Sequence, residues 1–539
     1  MSEPARSTTP DAKPALPSRS RWWTLVAASV ATFMLLLDFT VVNLALPAIH
    51  HDIGGSFTDL QLIVDAYAVS MAALILVAGS MADHIGYRRA FLIGVAIFSL
   101  ASLVCGIAHR PAVLNYARAV QGLGAAATLA SSLALLGVTF EGRERQFALA
   151  VWGAVSGTAV AVGPVVGGVV VEYLSWHWIF FINVPIGAGL VLLALTAMRD
   201  AREPEHGPFD WMGALTLTLA LGALVFALLR GNADGWSSIT ILAPLFAAAV
   251  LLAILPPIER RARKPILDLK LLGTPTMVGA SVAAFTIGLT VFASLLFLSL
   301  YLQDILRYSP LAAGLRLLPV TLGAFVASFG TVWLSRHFSP RLTIGVGLAL
   351  CAGAFLAMHG LTVRSTWTAL LAGSALGGAA TGLVNPTVAG MALRAGEGAR
   401  TGMASGINSA CRLLGLATGV AALGAIFEHR IQAELQTSAP ELPRQAAGAI
   451  SAGIITPVVE AFPPLLRGAI RDAATSAFIS GLNELFLVGF AIAVVAGIVT
   501  VLVVRTEAPL SGVADSQAPA VAAEAPAATL AAVASRAER

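Results

Sequence analysis

Residues 79–89 read Gly79-Ser80-Met81-Ala82-Asp83-His84-Ile85-Gly86-Tyr87-Arg88-Arg89, a short polar turn between two long apolar runs at 59–82 and 89–108. Each run is close to the ~20 residues an α-helix needs to cross a bilayer. Gly79 and Gly86 permit a tight connection. Asp83 is free either to stay solvated, to neutralise orphan N–H groups at a helix start, or to pair with Arg88, Arg89 or another helix. The same pattern of apolar run, brief polar turn and apolar run recurs along most of the chain. Further spans are expected at 22–47, 112–138, 146–172, 179–198, 212–230, 238–256, 274–302, 311–334, 341–361, 367–392, 401–427 and 477–504, making fourteen. The first is too long for a cleaved signal peptide and carries Asp38.

Composition supports this reading. Of 539 residues, 57% are hydrophobic and 12% charged, against roughly 25% charged in ordinary globular proteins. Mean hydropathy is +0.83. A soluble chain of this size could not cover its surface with so few charges, so a multi-span membrane protein remains. Lysine occurs only at Lys13, Lys264 and Lys270, and none follows a glycine. A phosphate-binding Gly-Lys-Ser/Thr loop is therefore excluded, and with it ATP-driven pumping by this chain. Cys105, Cys351 and Cys411 lie in apolar runs and form no metal spacing or disulfide framework. The nine histidines are scattered, leaving no metal site and little case for a membrane enzyme. A net charge of +4 does not indicate a nucleic-acid partner.

An even number of spans puts both termini on one side. If that side is the cytoplasm, the inner segments hold most of the Lys and Arg, including Arg88, Arg89, Arg143, Arg145, Arg260, Arg261, Arg263 and Arg341. The bias satisfies the positive-inside rule and supports the count. Segments 1–21 and 506–539 read as disordered cytoplasmic tails. The one long outer loop, 428–476, is mildly amphipathic around 446–473. It reads equally as short surface helices or as a loose connection.

Charges inside spans demand a reason, because each costs about 2.5–3.5 kcal/mol at mid-membrane on insertion scales. Thr58 and Gln61 look like a capping box opening the second span. From the rise per residue, Asp38 lies roughly 13 Å below the outer surface, and Asp65 and Arg118 roughly 10 Å below it. Two acids and a guanidinium are thus expected to face one cavity. Burial makes a carboxylate hold its proton and a nearby cation releases it. Such a group can take a proton on one side and lose it on the other, or hold a cationic substrate instead. A fixed Asp–Arg pair that joins helices is the competing reading. Gln121 follows Arg118 on one helical face with Gly122 and Ala125, small residues that admit another helix. Arg412 sits mid-span in Asn408–Arg412, where structural and transport roles are equally open. Glu484 lies near a span end. Asn385–Pro386 suggests a broken or kinked twelfth span. The fifth span carries Gly153, Gly157, Gly163, Pro164, Gly167 and Gly168, a flat stripe for close helix contact.

Several of these motifs resemble a known family. Gly79 to Arg89, with Asp83, Gly86, Arg88 and Arg89, resembles the cytoplasmic signature of the major facilitator superfamily, with Met81 and Tyr87 as departures. Leu114-x3-Arg118-x2-Gln121-Gly122-x-Gly124 resembles that superfamily's fourth-span motif, whose arginine is assigned a part in proton coupling. Gly163-Pro164-x2-Gly167-Gly168 resembles its fifth-span antiporter motif, with Ala159 where a glycine usually leads. Leu37 to Pro47, Trp176 to Gly187, Tyr301-Leu302-Gln303 and Ser309 to Gly314 look like the fourteen-span drug:proton antiporters. Asp65 in Val64-Asp65-Ala66-Tyr67 resembles a branch in which a second-span acid serves cationic drugs. A second signature loop is expected around 330–341, where Arg336 and Arg341 remain but no acid matches Asp83.

The resemblance implies an all-α membrane protein of the major facilitator fold. It would comprise an N-terminal six-helix bundle (22–198), two extra helices with linkers (199–270) and a C-terminal six-helix bundle (271–505). The implied activity is proton-driven export of amphipathic, cationic or polyaromatic drugs across the plasma membrane, with no cofactor beyond the proton motive force. Asp38, Asp65, Arg118 and Gln121 would handle protons or substrate. Asp83, Arg88 and Arg89 would form a cytoplasmic latch, and Gly163 and Pro164 a flexing interface. Arg412, Asn385 and Glu484 are further candidates. Export of one endogenous metabolite or self-made antibiotic is the alternative.

Overall fold

The computed structural model describes residues 18–54, 57–198, 209–262, 265–396, 401–440, 442, 445–451 and 455–504. Most of the two expected tails lies outside these, as do the side chains of Thr58, Gln61, Pro164 and Arg336. The N-terminal tail is shorter than 1–21, because the first helix already begins at Ser18.

The described chain is helical, as a lipid-exposed backbone must be when no water is present to satisfy its N–H and C=O groups. The long helices are α1 (Ser18–Ile53), α2 (Phe57–Ile85), α3 (Tyr87–Gly106), α4 (Pro111–Thr139), α5 (Gly142–Tyr173), α6 (His177–Ala197), α7 (Trp211–Asp234), α8 (Ile239–Arg261), α9 (Pro275–Ile305), α10 (Pro310–His337), α11 (Pro340–Met358), α12 (Leu371–Ala395), α13 (Thr401–Ser438) and α14 (Pro464–Val503). Among the described residues, thirteen helices are long and apolar enough to cross a membrane. With α5, which spans 32 residues, the set is consistent with fourteen. Local chemistry sets many of the starts. Asp210, Ser238, Thr274 and Ser309 each accept a backbone N–H at the first turn of α7, α8, α9 and α10. Gly86 takes φ +96°, a conformation that favours glycine, and so turns α2 into α3.

One large apolar core lies mainly within α1–α6 and another within α9–α14. The two halves meet where α5 packs on α10 and α2 on α13. Glycine makes both contacts close. A Cβ at Gly79 would strike the Gly402 backbone, and one at Gly314 would strike Val165. Of the two extra helices, α7 packs on α2 and α13, touching both halves, whereas α8 packs chiefly on α7.

Two elements differ from expectation. Asn385–Pro386 does not break α12, which runs on through Pro386. The irregular helix is α9, with π-helical turns at Gly288–Phe292 and Tyr301–Ile305. There Gly288 lies against the backbone of Arg412, a close approach that a side chain would block. The segment 428–476 is largely structured. α13 continues to Ser438, α14 starts at Pro464, and short helices Gln445–Ser451 and Ile455–Glu460 bury Ala447, Ile450, Ile455 and Val459 in the C-terminal core.

Candidate functional site

The N-terminal half contains a buried polar network. Arg118 Nη1 on α4 donates to Asp38 Oδ2 on α1 at 2.6 Å and to Gln121 Oε1 at 2.7 Å. Gln121 Nε2 donates to Asp38 Oδ1 at 3.1 Å, and Asn183 Nδ2 on α6 donates to the same oxygen at 2.9 Å. Ser102 on α3 accepts from both amides and donates to the Phe180 carbonyl at 2.9 Å. Arg118 Nε donates to the Ile63 carbonyl at 3.0 Å, and the guanidinium lies 4.2 Å from the Tyr67 ring centre. Asp38, Arg118, Gln121 and Asn183 are each no more than 2% exposed. Such additional hydrogen bonds sustain a buried ion pair, although Arg118 Nη2 has no hydrogen-bond partner among the described residues. Five helices, α1, α2, α3, α4 and α6, therefore contribute to one network.

The structure joins Asp38, Arg118 and Gln121 but does not add Asp65. Ile63 and Tyr67 face α4, and a residue two positions from either points to the opposite side of a helix. Asp65 accordingly lies toward α7, within electrostatic range of Arg230 and Asp234. Arg230 and Asp234 form a two-pronged pair at 3.0 and 2.8 Å. The depth shared with Asp38 and Arg118 follows from counting residues, whereas the heading of Asp65 depends on rotation about the α2 axis. Asn183 and Ser102 escaped the sequence reading, although Asn183 stands inside the quoted Trp176–Gly187 motif. Arg230 was placed in an outer segment, yet it is buried, and its i,i+4 spacing to Asp234 was the available signal.

At the end of the molecule carrying the 79–89 turn, Asp83 accepts backbone N–H bonds from Gly402 at 2.7 Å and Met403 at 2.9 Å. These are orphan donors at the start of α13, where the helix dipole favours an anion. Tyr87 donates to the same carboxylate at 2.7 Å. Arg88 donates instead to the Ala194 and Leu195 carbonyls that end α6, at 2.9 and 2.8 Å. Ser405 Oγ donates to the Ala130 carbonyl at 2.8 Å. The two halves are thus sealed together at this end. The turn at 337–340 has no matching acid. There Ser335 donates to Gln146 on α5 at 2.7 Å.

The small residues of α5 face two ways. A Cβ at Gly163 would meet Thr40 of α1, while Cβ atoms at Gly153 and Gly157 would meet Pro386 of α12 and Ala324 of α10. Gly167 and Gly168 are buried. Glu484 is half-buried beside Asn483, which caps the Gly360–Leu361 backbone at the opposite end of the molecule. Arg412 is buried on α13 and stands 5.7 Å from the Trp152 ring centre of α5.

Comparison with known proteins accords with this architecture. The model of the Major Facilitator Superfamily matches residues 28–420. The chain is 33% identical over 443 residues to the multidrug resistance protein Stp of Mycobacterium tuberculosis, covering 82% of each. It is 31% identical to the tetracenomycin C resistance and export protein of Streptomyces glaucescens, covering 92% of this chain and 94% of that one. The solved proton:xylose symporter XylE superposes with a TM-score of 0.59 at 12% identity, over 92% of this chain and 99% of that one, which bears on the fold alone. This chain belongs to the major facilitator superfamily. It is a multi-pass membrane transporter rather than an enzyme, related to drug-resistance exporters of the fourteen-span type.

Proposed function

We propose that the chain is a proton-driven antiporter that exports amphipathic drugs or antibiotics across the plasma membrane, with both termini and the 79–89 turn in the cytoplasm. The observation that carries this reading is the position of Asp38. It is held by Arg118 and Gln121 of α4 and Asn183 of α6, so gain of a proton dissolves an ion pair that fixes the packing of these helices on α1. Loss of the proton restores the pair. One charge moving through 100 mV supplies about 2.3 kcal/mol. In this reading Asp83 and the α13 N-terminus form the cytoplasmic latch, which is engaged here, and α5 with its glycines is the surface along which the halves move. The expectation of a cationic cargo rested on Asp38 and Asp65. The first is saturated by protein donors and the second has Arg230 at hand, so neither is assigned to cargo.

The test is energised efflux from vesicles containing Asp38→Asn. The amide keeps the size of the carboxylate but cannot take up a proton as it does. Coupled efflux should vanish in protein that still inserts and folds, at lower thermal stability because Arg118 loses its counter-charge, and normal pumping by the variant would reject the role. The relation to the tetracenomycin C export protein supports a second reading, a dedicated exporter of one self-made antibiotic. A susceptibility panel in a pump-deficient host, with and without a protonophore, separates broad from single-compound export.

A further inference from the structure

Resting on the exporter reading, we propose that Arg412 is the cargo subsite for an anionic oxygen group, a carboxylate or phenolate, so that the preferred cargo is an amphipathic acid. Arg412 is 8% exposed, and its Nη2 is buried with no hydrogen-bond partner among the described residues. No carboxylate among those residues pairs with it. What it does meet is the Trp152 ring of the other half of the molecule. That ring is held in place by its own Nε1, which donates to Thr32 Oγ1 on α1 at 2.9 Å. A cation–π contact offsets only part of the cost of burying a guanidinium.

The surroundings suit an oxyanion. Asn408 lies one turn earlier on the same face of α13. Asn385 on α12 adjoins Pro386, which seats against Gly153, the neighbour of Trp152. Asn408 and Asn385 are 5% and 6% exposed, and their amides make no hydrogen bond to another described residue. Trp152, Asn385 and Arg412 each lie roughly ten residues, and Thr32 roughly twelve, from the helix ends at the 79–89 turn. All four are therefore about 15–18 Å deep, near the middle of a ~30 Å core. Arg412 and Trp152 meet across the two halves, so a ligand on Arg412 would be touched by both. A guanidinium fork with an amide one turn away on its own helix matches a planar oxyanion. A cationic cargo would instead face an uncompensated like charge.

The experiment uses purified full-length protein and three matched probes: 2-naphthoate, methyl 2-naphthoate and 2-naphthylmethylammonium. Affinities are read from ligand-dependent thermal unfolding. The wild type should bind the naphthoate about tenfold or more tightly than the other two, the scale of a charge-assisted hydrogen bond. Arg412→Gln should abolish that preference, bringing the naphthoate down to the level of the ester, and Arg412→Lys should retain part of it. A wild type that binds naphthoate no better than the others, or not at all, overturns the assignment, whether or not the variants fold. So does an Arg412→Gln variant that keeps the preference. Energised drug efflux by the wild type is scored separately. A chain that pumps drugs but ignores probe charge refutes only the subsite, and one that pumps nothing refutes the exporter reading.

Discussion

Arg118 and Arg412 are both buried arginines within long helices, and their surroundings are opposite. Arg118 is enclosed by its own half of the molecule, with a carboxylate, an amide and a backbone carbonyl as acceptors. Arg412 faces the other half and has an aromatic ring where an acid would be expected. A guanidinium whose acceptors come from one bundle can hold that bundle together. One left short of acceptors between two bundles is suited to a guest. Buried charge in a membrane helix thus has two separable uses, and the partner list tells them apart.

The comparison breaks most visibly at Arg118. Arg118→Ala leaves Asp38 buried and unpaired, so thermal unfolding of the solubilised protein should show a loss of about 3–5 kcal/mol. The double change Asp38→Asn with Arg118→Ala should recover much of it, because the two effects are coupled. A fully additive double mutant would mean that the pair is not what matters. Next in size is Asp83→Asn, which removes a negative charge from the start of α13. The joined state at that end should lose about 1–2 kcal/mol. Spin labels on α2 and α13 should then report a separated population enriched about tenfold. Unchanged label distances would deny Asp83 its latch role.

Smaller still is Asn232→Ala, which deletes the 2.9 Å bond from α7 to the Ala421 carbonyl. It should cost about 1 kcal/mol by thermal unfolding, and a neutral result would make α7 a passive neighbour of α13. The least effect on stability is expected from Arg412→Gln, under about 1 kcal/mol, since it strands no carboxylate. If that variant unfolds as readily as Arg118→Ala, the contrast between the two arginines fails.

The eleven residues of the 79–89 turn illustrate how far linear reading reaches. Asp83 was legible as a group that could cap a helix, but the helix proved to be α13, more than three hundred residues away. Asp65 shows the converse. Its depth follows from counting residues, but its heading depends on which helices α2 packs against. Asn385–Pro386 invited a break that packing against α5 and α10 does not show, while the π-helical turns of α9 left no sequence signal that was used.

The sequence by itself determined that this is a many-helix membrane chain, roughly where its spans fall, and which polar residues lie deep. Those properties depend on local spacing and on the cost of exposing a backbone to lipid. Only the tertiary structure decided that Asp38 is saturated, that Asp65 turns toward α7 and that Arg412 looks across at Trp152. Partners of a buried charge come from helices distant in the chain, and rotation about a helix axis is set by packing rather than by counting.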